Sequence, residues 1–292
     1  MKVVVVGGSG RIGEKLVRIL RQADCRVLVA SPSHGVDAVT GAGLAQAMAD
    51  AEIVVDVSNA PSLDGAAALR FFEAASRNLL SLGRSVGVRH HVVLSIVGTD
   101  RLIFGDYFRA KKMQEDLVKA SGIPFTILRS TQFFEFISDV VQEGTASEIT
   151  ISPALAQPVA AENVADMLAD VVFGGPINDS PEIAGPQQLR LDAVATEIAT
   201  AHEDGRRIVA DVHAPYFGAE LEERSLLPDP GARIASLRFE DWLRDSLRPN
   251  WSSVPETRTL RGEAMSDGGC ARLGALASEA LPFAPLLNRK GW

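Results

Sequence analysis

Short runs of aliphatic and β-branched residues alternate with longer amphipathic segments over the first half of the chain. Five runs predict strands, at residues 3–6, 26–30, 53–57, 91–96 and 125–128. Between them, apolar residues recur every three or four positions at 13–22, 43–50, 63–82 and 107–120, which predicts helices. Strands that read as continuous apolar runs are buried on both faces. The pattern therefore predicts an α/β fold in which a doubly wound parallel sheet carries helices on both sides.

The composition narrows the functional classes. Hydrophobic residues make up 46% and charged residues 23% of the 292 positions, as in an average soluble globular protein. A formal net charge of -8 argues against direct binding to nucleic acid. The only two cysteines, Cys25 and Cys270, are far apart, and His90 and His91 have no further ligands at metal-binding spacing, so we expect no metal site. Without a leader or an apolar run of about 18–20 residues, we expect a cytoplasmic protein that binds no membrane.

A glycine-rich turn follows the first predicted strand and opens the first predicted helix. Glycines there permit a tight turn, a close approach of the backbone to a diphosphate, and close packing of helix on strand. The helix N-terminus adds free N–H groups and a partial positive charge. This context predicts a Rossmann-type dinucleotide site, and the residues expected in it are Gly7, Gly8, Ser9, Gly10, Arg11, Ile12 and Gly13.

The end of the second predicted strand bears on the choice of cofactor. An acidic residue there would bind the ribose hydroxyls of NAD. This chain has Ser31, Pro32 and Ser33 instead, with no carboxylate before Asp37. We expect NADPH to be favoured over NADH, with Ser31, Ser33 and Arg11 near the 2′-phosphate. The alternative is that Arg11 is simply solvated and that the site accepts either cofactor.

Tyr107 and Lys111 are four residues apart on a predicted helix, so they share a face. A nearby ammonium favours the phenolate, and we expect Lys111 to lower the pKa of Tyr107. Tyr107 would then exchange a proton with a carbonyl oxygen. Ser95 ends the fourth predicted strand, at the sheet edge where doubly wound folds bind ligands, and it could orient the same oxygen.

The second half of the chain is less regular, and glycine and proline interrupt its short apolar segments. We predict small helices at 161–172 and 191–202, and three regions along the chain. These are a Rossmann NAD(P)-binding domain at 1–135, a smaller C-terminal α+β substrate-binding region at 136–248 and a loosely attached tail at 249–292. Gln132 and Phe133 are candidate substrate-pocket residues, although aromatic residues at such spacing commonly pack in a core.

Several of these motifs together resemble the atypical short-chain dehydrogenase/reductases of the NmrA-like, NAD(P)H-binding group. The resemblance covers about residues 1–245. It is carried by the glycine turn, Ser95, Tyr107, Lys111 and the segments 122–136, 157–165, 183–186 and 238–242. It implies a nicotinamide over Ser95, Tyr107 and Lys111 and a small C-terminal substrate domain. Asn163 stands where the family usually has Asp.

The sequence predicts an NADPH-dependent oxidoreductase that reduces a small apolar acceptor, such as a quinone or a conjugated carbonyl. The cofactor carries the redox chemistry, and the protein supplies position and a proton. One alternative is a non-catalytic redox sensor that binds the dinucleotide and acts through a protein partner. Another is a sugar-nucleotide epimerase with bound NAD, which the missing acid after the second strand disfavours.

Overall fold

Seven parallel strands form the central sheet, and helices cover both of its faces. The computed structural model describes residues 1–62, 65–143 and 147–248, so the predicted tail at 249–292 lies outside the described residues. The strands are β1 Lys2–Val6, β2 Arg26–Ala30, β3 Ile53–Asp56, β4 His90–Ile96, β5 Phe125–Ser130, β6 Glu148–Ile151, β7 Leu155–Ala156, β8 Glu182–Ala184, β9 Leu189–Arg190, β10 Arg207–Ala210 and β11 Arg233–Ile234. The helices are α1 Arg11–Gln22, α2 Leu44–Met48, α3 Gly65–Val86, α4 Asp106–Lys119, α5 Phe134–Glu143, α6 Ala161–Gly174, α7 Leu191–Ala201 and α8 Phe239–Ser246.

The order of strands across the main sheet is β11-β8-β5-β4-β3-β1-β2. The chain leaves β1 to form β2 on one side and then returns to form β3 on the other. A crevice therefore opens between the carboxyl ends of β1 and β3, where a doubly wound sheet binds its ligands. The predicted fold class, a doubly wound parallel α/β sheet, is confirmed.

Alternate side chains of each central strand enter separate cores. Val3 and Val5 of β1 pack toward α1 and α6, whereas Val4 and Val6 face the side covered by α2, α3 and α4. All four side chains are almost fully buried. Two buried faces explain why these strands carry no polar alternation.

The chain after β5 both extends the sheet and builds a separate cluster. β8 pairs with β5, and β11 pairs with β8. The remaining strands form two small sheets, β6 with β10 and β7 with β9. A second hydrophobic cluster joins α5, α7 and α8 around Phe134, Phe239 and Trp242. The boundaries at 135 and 248 stay predictions.

A buried carboxylate connects this later part to the first helical layer. Glu135 on α5 accepts hydrogen bonds from the backbone N–H of Ala161, at the start of α6, and from Nε1 of Trp242 on α8. Because α6 packs against α1, the second cluster is linked to the helix that follows the glycine turn. None of the described helices is long and apolar enough to cross a membrane.

Candidate active site and dinucleotide site

The glycine turn between β1 and α1 depends on missing side chains. Gly7 adopts a φ of 77° and donates its N–H to the carbonyl of Ala30 at 2.9 Å, while Gly10 donates to Gly7 O at 3.0 Å. A Cβ added to Gly13 would lie 2.2 Å from Gly7 O. Only glycine allows α1 to approach the turn this closely.

The first turn of α1 is suited to an anion. The helix begins at Arg11, after Gly10, and no side chain caps it among the described residues. Its free N–H groups and dipole favour a diphosphate at this position. Ser9 is exposed beside the turn, whereas Ile12 is completely buried and anchors the helix to the sheet.

Arg11 makes a contact that the sequence did not predict. Its Nη2 lies 2.7 Å from Oδ2 of Asp139 on α5, in a partly exposed ion pair. This ion pair gives Arg11 a partner within the protein. The placement of Arg11 at the cofactor phosphate therefore stays a prediction.

The polar groups after β2 form one cluster. Ser31 Oγ lies 3.0 Å from Ser33 Oγ and 2.8 Å from Nδ1 of His34. The nearest carboxylate along the chain, Asp37, accepts the backbone N–H groups of Val39 and Thr40 and so closes its own turn. Hydroxyl and imidazole groups thus occupy the place where a ribose-binding acid would lie.

A cleft of about 940 Å³, including its open mouth, adjoins the glycine turn on the β2 side. Gly8 and Ser9 line it, as do His34 and two cations of α1, Arg18 and Arg21. One carboxylate, Glu14, also lies along it. The cleft therefore offers two positive side chains beside the turn.

Tyr107 lies in the first turn of α4 and is buried beside the crevice. Its hydroxyl donates to Oδ1 of Asn59, which follows β3, at 2.9 Å. Burial raises the pKa of Tyr107 above its ordinary value. The expected lowering of this pKa by Lys111 is not observed, because desolvation of the phenolate dominates.

Lys111 is directed toward the sheet. Its Nζ donates to the carbonyl of Leu94 at 2.8 Å and to Oε1 of Gln114, and it lies 4.5 Å from the ring centroid of Phe72. Gln114 in turn donates to Asp56 at 3.0 Å. Burial lowers the pKa of Lys111 to about 8, although Asp56 and Glu115 oppose the shift.

Ser95 belongs to a second buried polar network. Its hydroxyl donates to Oε1 of Glu115 at 2.7 Å. Arg129 donates to both oxygens of the same carboxylate, at 3.0 and 2.6 Å, and pairs with Asp100 at 2.7 Å. The Ser95 hydroxyl is therefore already committed to Glu115, although Ser95 lines the cavity described next.

An apolar cavity of about 550 Å³, including its mouth, lies over the carboxyl ends of β3, β4 and β5. It collects all five candidates for catalysis and substrate binding, and also residues from the distant turn at 216–219. The lining includes Tyr107, Lys111, Ser95, Gln132, Phe133, Asn59, Phe136, Tyr216 and Phe217. In the part of the chain that the structure describes, no group of three or more His, Cys, Asp or Glu residues could hold a metal ion.

A family model for NAD(P)H-binding proteins matches residues 7–173, which is more than half of the chain and includes the glycine turn, Tyr107 and Lys111. The chain belongs to the NAD(P)H-binding family. The predicted family relationship is thereby confirmed at this level, while the finer NmrA-like assignment stays a prediction. A comparison with curated protein sequences finds no match.

Solved structures with the same fold as this NAD(P)H-binding protein include reductases and epimerases. A dTDP-4-dehydrorhamnose reductase from Clostridium acetobutylicum has a TM-score of 0.59 at 15% identity, covering 85% of this chain and 92% of its own. The Thermus thermophilus UDP-glucose 4-epimerase in complex with NAD has a TM-score of 0.58 at 17% identity. The match covers 85% of this chain and 94% of the epimerase chain. An NADPH-dependent quinone oxidoreductase from Escherichia coli, complexed with NADPH, has a TM-score of 0.56 at 18% identity. The match covers 72% of this chain and 77% of that chain. At these identities the likeness shows the fold.

Three functional candidates of this NAD(P)H-binding protein were not predicted to line the site. Asn59 carries no motif that would single it out. Tyr216 and Phe217 come about 100 residues after Tyr107, so no local pattern connects them with it. Their one sequence signal is an aromatic pair directly before Gly218, a residue type that favours turns.

Gly13→Ala should abolish dinucleotide binding. The added methyl group would overlap Gly7 O and Gly8 Cα, at 2.2 and 2.6 Å, and would force the turn and α1 apart. We expect at least a 100-fold loss of affinity for both NADPH and NADH in fluorescence titrations. Gly174→Ala is the control, because nothing lies within 4 Å of its added Cβ. Retained binding in Gly13→Ala would contradict the role of the turn.

Lys111 should make stability rise with pH in a defined window. Its folded pKa of about 8 lies below the ordinary 10.5, so between these values the unfolded chain binds more protons. The free energy of unfolding should therefore increase relative to Lys111→Met between pH 8 and 10, by about 1 kcal/mol per pH unit. Urea unfolding monitored by circular dichroism measures this difference. Lys112→Met is the control, and parallel profiles of the wild type and Lys111→Met would refute the shift.

Proposed function

We propose that the protein is an NADPH-dependent oxidoreductase that reduces a small, largely apolar acceptor such as a quinone or conjugated carbonyl. The observation that carries the proposal is the location of Tyr107. Its buried hydroxyl lines an apolar cavity at the same sheet edge as the uncapped N-terminus of α1. An anion-binding turn and a proton donor at one edge support a dinucleotide-dependent reduction.

The cofactor fits the residues around the crevice. Gly7 and Gly13 let the turn, α1 and the end of β3 pack closely, and the first N–H groups of α1, which no described side chain caps, would bind a diphosphate. The bound cofactor would supply the hydride that the chain's own side chains lack. Lys111 lies one helical turn after Tyr107 and also lines the cavity, where it would contact the nicotinamide ribose.

Tyr107 acts as the acid in this scheme. Burial raises its pKa, so Tyr107 is a neutral phenol at physiological pH and gives up its proton only to a strongly basic oxygen, such as the one that forms on hydride addition. Transfer of that proton to the acceptor oxygen neutralises the charge that develops there during reduction. Asn59 accepts the Tyr107 hydrogen bond and orients the hydroxyl beforehand.

Apolar walls exclude water from the reacting atoms. Phe133, Phe136 and Phe217 line the cavity and leave few polar groups exposed inside it. A low local dielectric strengthens the interaction of Tyr107 and Lys111 with a developing negative charge. Such walls favour flat, weakly polar acceptors over sugars, which carry many hydroxyl groups.

The preference for NADPH rests on the β2 side of the glycine turn. Ser31, Ser33 and His34 supply uncharged polar groups where an acid would repel a phosphate. Arg18 and Arg21 line the adjoining cleft and supply positive charge. Since Arg11 pairs with Asp139, these two arginines are better placed to attract the 2′-phosphate.

Fluorescence titration with NADPH and NADH tests the cofactor preference. We expect wild type to bind NADPH at least tenfold more tightly, which corresponds to about 1.4 kcal/mol. Arg18→Gln and Arg21→Gln should together weaken NADPH binding by about 10- to 100-fold and leave NADH binding unchanged. Arg84→Gln, on an exposed turn of α3, is the control. Tighter binding of NADH by wild type would contradict the preference.

Tyr107→Phe tests the proposed reaction. The variant removes one hydroxyl and keeps the ring, so turnover should fall by about 10²- to 10⁴-fold while NADPH affinity remains nearly intact. Lys111→Ala should weaken both turnover and binding, whereas Lys112→Ala should change neither. Oxidation of NADPH is followed with a panel of quinones, enones and aldehydes.

Two outcomes of this experiment would contradict different parts of the proposal. Wild type that binds NADPH but oxidises none of it with any acceptor would favour a redox sensor. Turnover that survives Tyr107→Phe unchanged would overturn the assignment of the proton donor. It would leave an oxidoreductase in which water protonates the product.

A further inference from the structure

Gln132 has a buried amide that is poorly paired among the described residues. The residue follows β5 and is 3% exposed, yet neither Nε2 nor Oε1 makes a hydrogen bond of normal geometry there. Its side chain lines the cavity beside Tyr107. Buried amides are normally paired, so an unpaired one beside a cavity calls for a ligand or water that completes it.

The backbone around Gln132 is held on several sides. Its carbonyl accepts the N–H of Val159 at 2.8 Å, and Phe134 donates to Val159 O at 3.1 Å. The preceding Thr131 donates its hydroxyl to Gln157 O at 2.7 Å. The amide is therefore presented to the cavity by a braced segment, which lowers the entropic cost of binding.

A second unpaired polar group lies next to the amide. Among the residues that the structure describes, the Tyr216 hydroxyl makes no hydrogen bond of normal geometry, and its one polar neighbour of note is the Gln132 side chain. Burial raises the pKa of Tyr216, the neighbouring Tyr107 adds to the rise, and the Gln132 side chain opposes it, so the three groups are close together. Tyr216 is positioned by a tight turn in which its N–H and carbonyl both bond to Ala219.

The aromatic walls indicate the shape of the ligand. Phe217 stacks on Tyr107 at a centroid distance of 4.9 Å and an angle of 27°, and on Phe136 at 5.4 Å and 21°. Phe217 itself has a φ of 49°, a conformation that non-glycine residues rarely adopt. These rings stack on one another and form one continuous aromatic wall of the cavity, along which a flat conjugated molecule can pack.

We propose that Gln132 and Tyr216 form a polar anchor for a second oxygen of the acceptor, distinct from the oxygen that Tyr107 protonates. The Gln132 amide and the Tyr216 hydroxyl can both donate to one carbonyl oxygen. The ligand class is then a flat conjugated ring that carries two oxygen functions rather than one. This inference rests on the proposed function, because Tyr107 defines the reacting end.

Equilibrium binding tests the anchor without turnover. The full chain is saturated with NADP⁺, which cannot reduce the ligand, and titrated with 1,4-naphthoquinone and with 1-naphthaldehyde, which has one oxygen. Wild type should bind the quinone about tenfold more tightly. Gln132→Met and Tyr216→Phe should each weaken quinone binding by about three- to tenfold and leave binding of the aldehyde and of NADP⁺ unchanged.

Thermal unfolding separates this anchor from a structural role. Gln132→Met replaces an unpaired buried amide with an apolar side chain of similar size, so its melting temperature should equal or exceed that of wild type. Gln46→Met, on the exposed surface of α2, is the control. A lower melting temperature combined with equal losses for both probes would show a packing role and overturn the anchor.

The remaining outcomes are also decisive. No measurable binding of the quinone to wild type, or unchanged quinone binding in both variants, would overturn the anchor. Selective binding that depends on Gln132 and Tyr216 in a protein that never oxidises NADPH would support the anchor and overturn the proposed function. Turnover of quinones that depends on neither residue would support the proposed function and overturn the anchor.

Discussion

Close contact between three backbone segments at the end of β1 governs the rest of the structure. A Cβ on Gly7 would lie 2.8 Å from the backbone of Ser58, and one on Gly13 would lie 2.2 Å from Gly7 O. Without side chains at these two positions, α1 lies against β1, and the end of β3 comes beside the turn. One edge of the sheet therefore holds the uncapped helix terminus and also Asp56, Ser58 and Asn59. The cavity over β3, β4 and β5 begins where this contact ends.

The buried charged side chains beneath that edge belong to two hydrogen-bonded networks. Lys111 donates hydrogen bonds to the Leu94 carbonyl and to Gln114 Oε1, and Gln114 in turn donates to Asp56. One helical turn further along α4, Glu115 accepts hydrogen bonds from both Arg129 and Ser95. An unpaired charge at either place would be costly, since desolvation is only repaid by several well-formed hydrogen bonds. The two networks hold α4, and with it Tyr107, in register with the sheet.

The sequence predicted the elements that carry a strong local signal. The five apolar runs became β1 to β5, and the glycine turn lies where the crevice opens. β8 and β11 were missed because strands of three and two residues show no periodicity. The pKa of Tyr107 was misjudged because spacing along a helix reveals shared faces but not burial. Tyr216 and Phe217 were not predicted at the site because only the tertiary structure brings their turn to α4.

Glu115 shows what residue spacing along a helix can predict about the site and what it cannot. Glu115 follows Lys111 by four residues, so the spacing alone predicts that both lie on one face of α4. Its partner Arg129 lies on strand β5, which the spacing does not reveal. The same pair bears on Ser95, because the Ser95 hydroxyl donates its hydrogen bond to Glu115. Long-range pairs of this kind depend on strand order. The order of the strands follows from packing between distant segments, which a short stretch of sequence does not show.

The residues around the crevice are divided along the chain in a way that matters for evolvability. The glycine turn, Ser31, Asn59, Tyr107 and Lys111 all precede β5, whereas Gln132, Phe136, Tyr216 and Phe217 follow its central residues. The later group lies mainly in turns and at the start of a helix, where substitutions disturb the parallel sheet least. New side chains at 132 or in the 216–219 turn can reshape the apolar cavity while the glycine turn stays intact. One scaffold can thus diversify its ligands and keep its nucleotide.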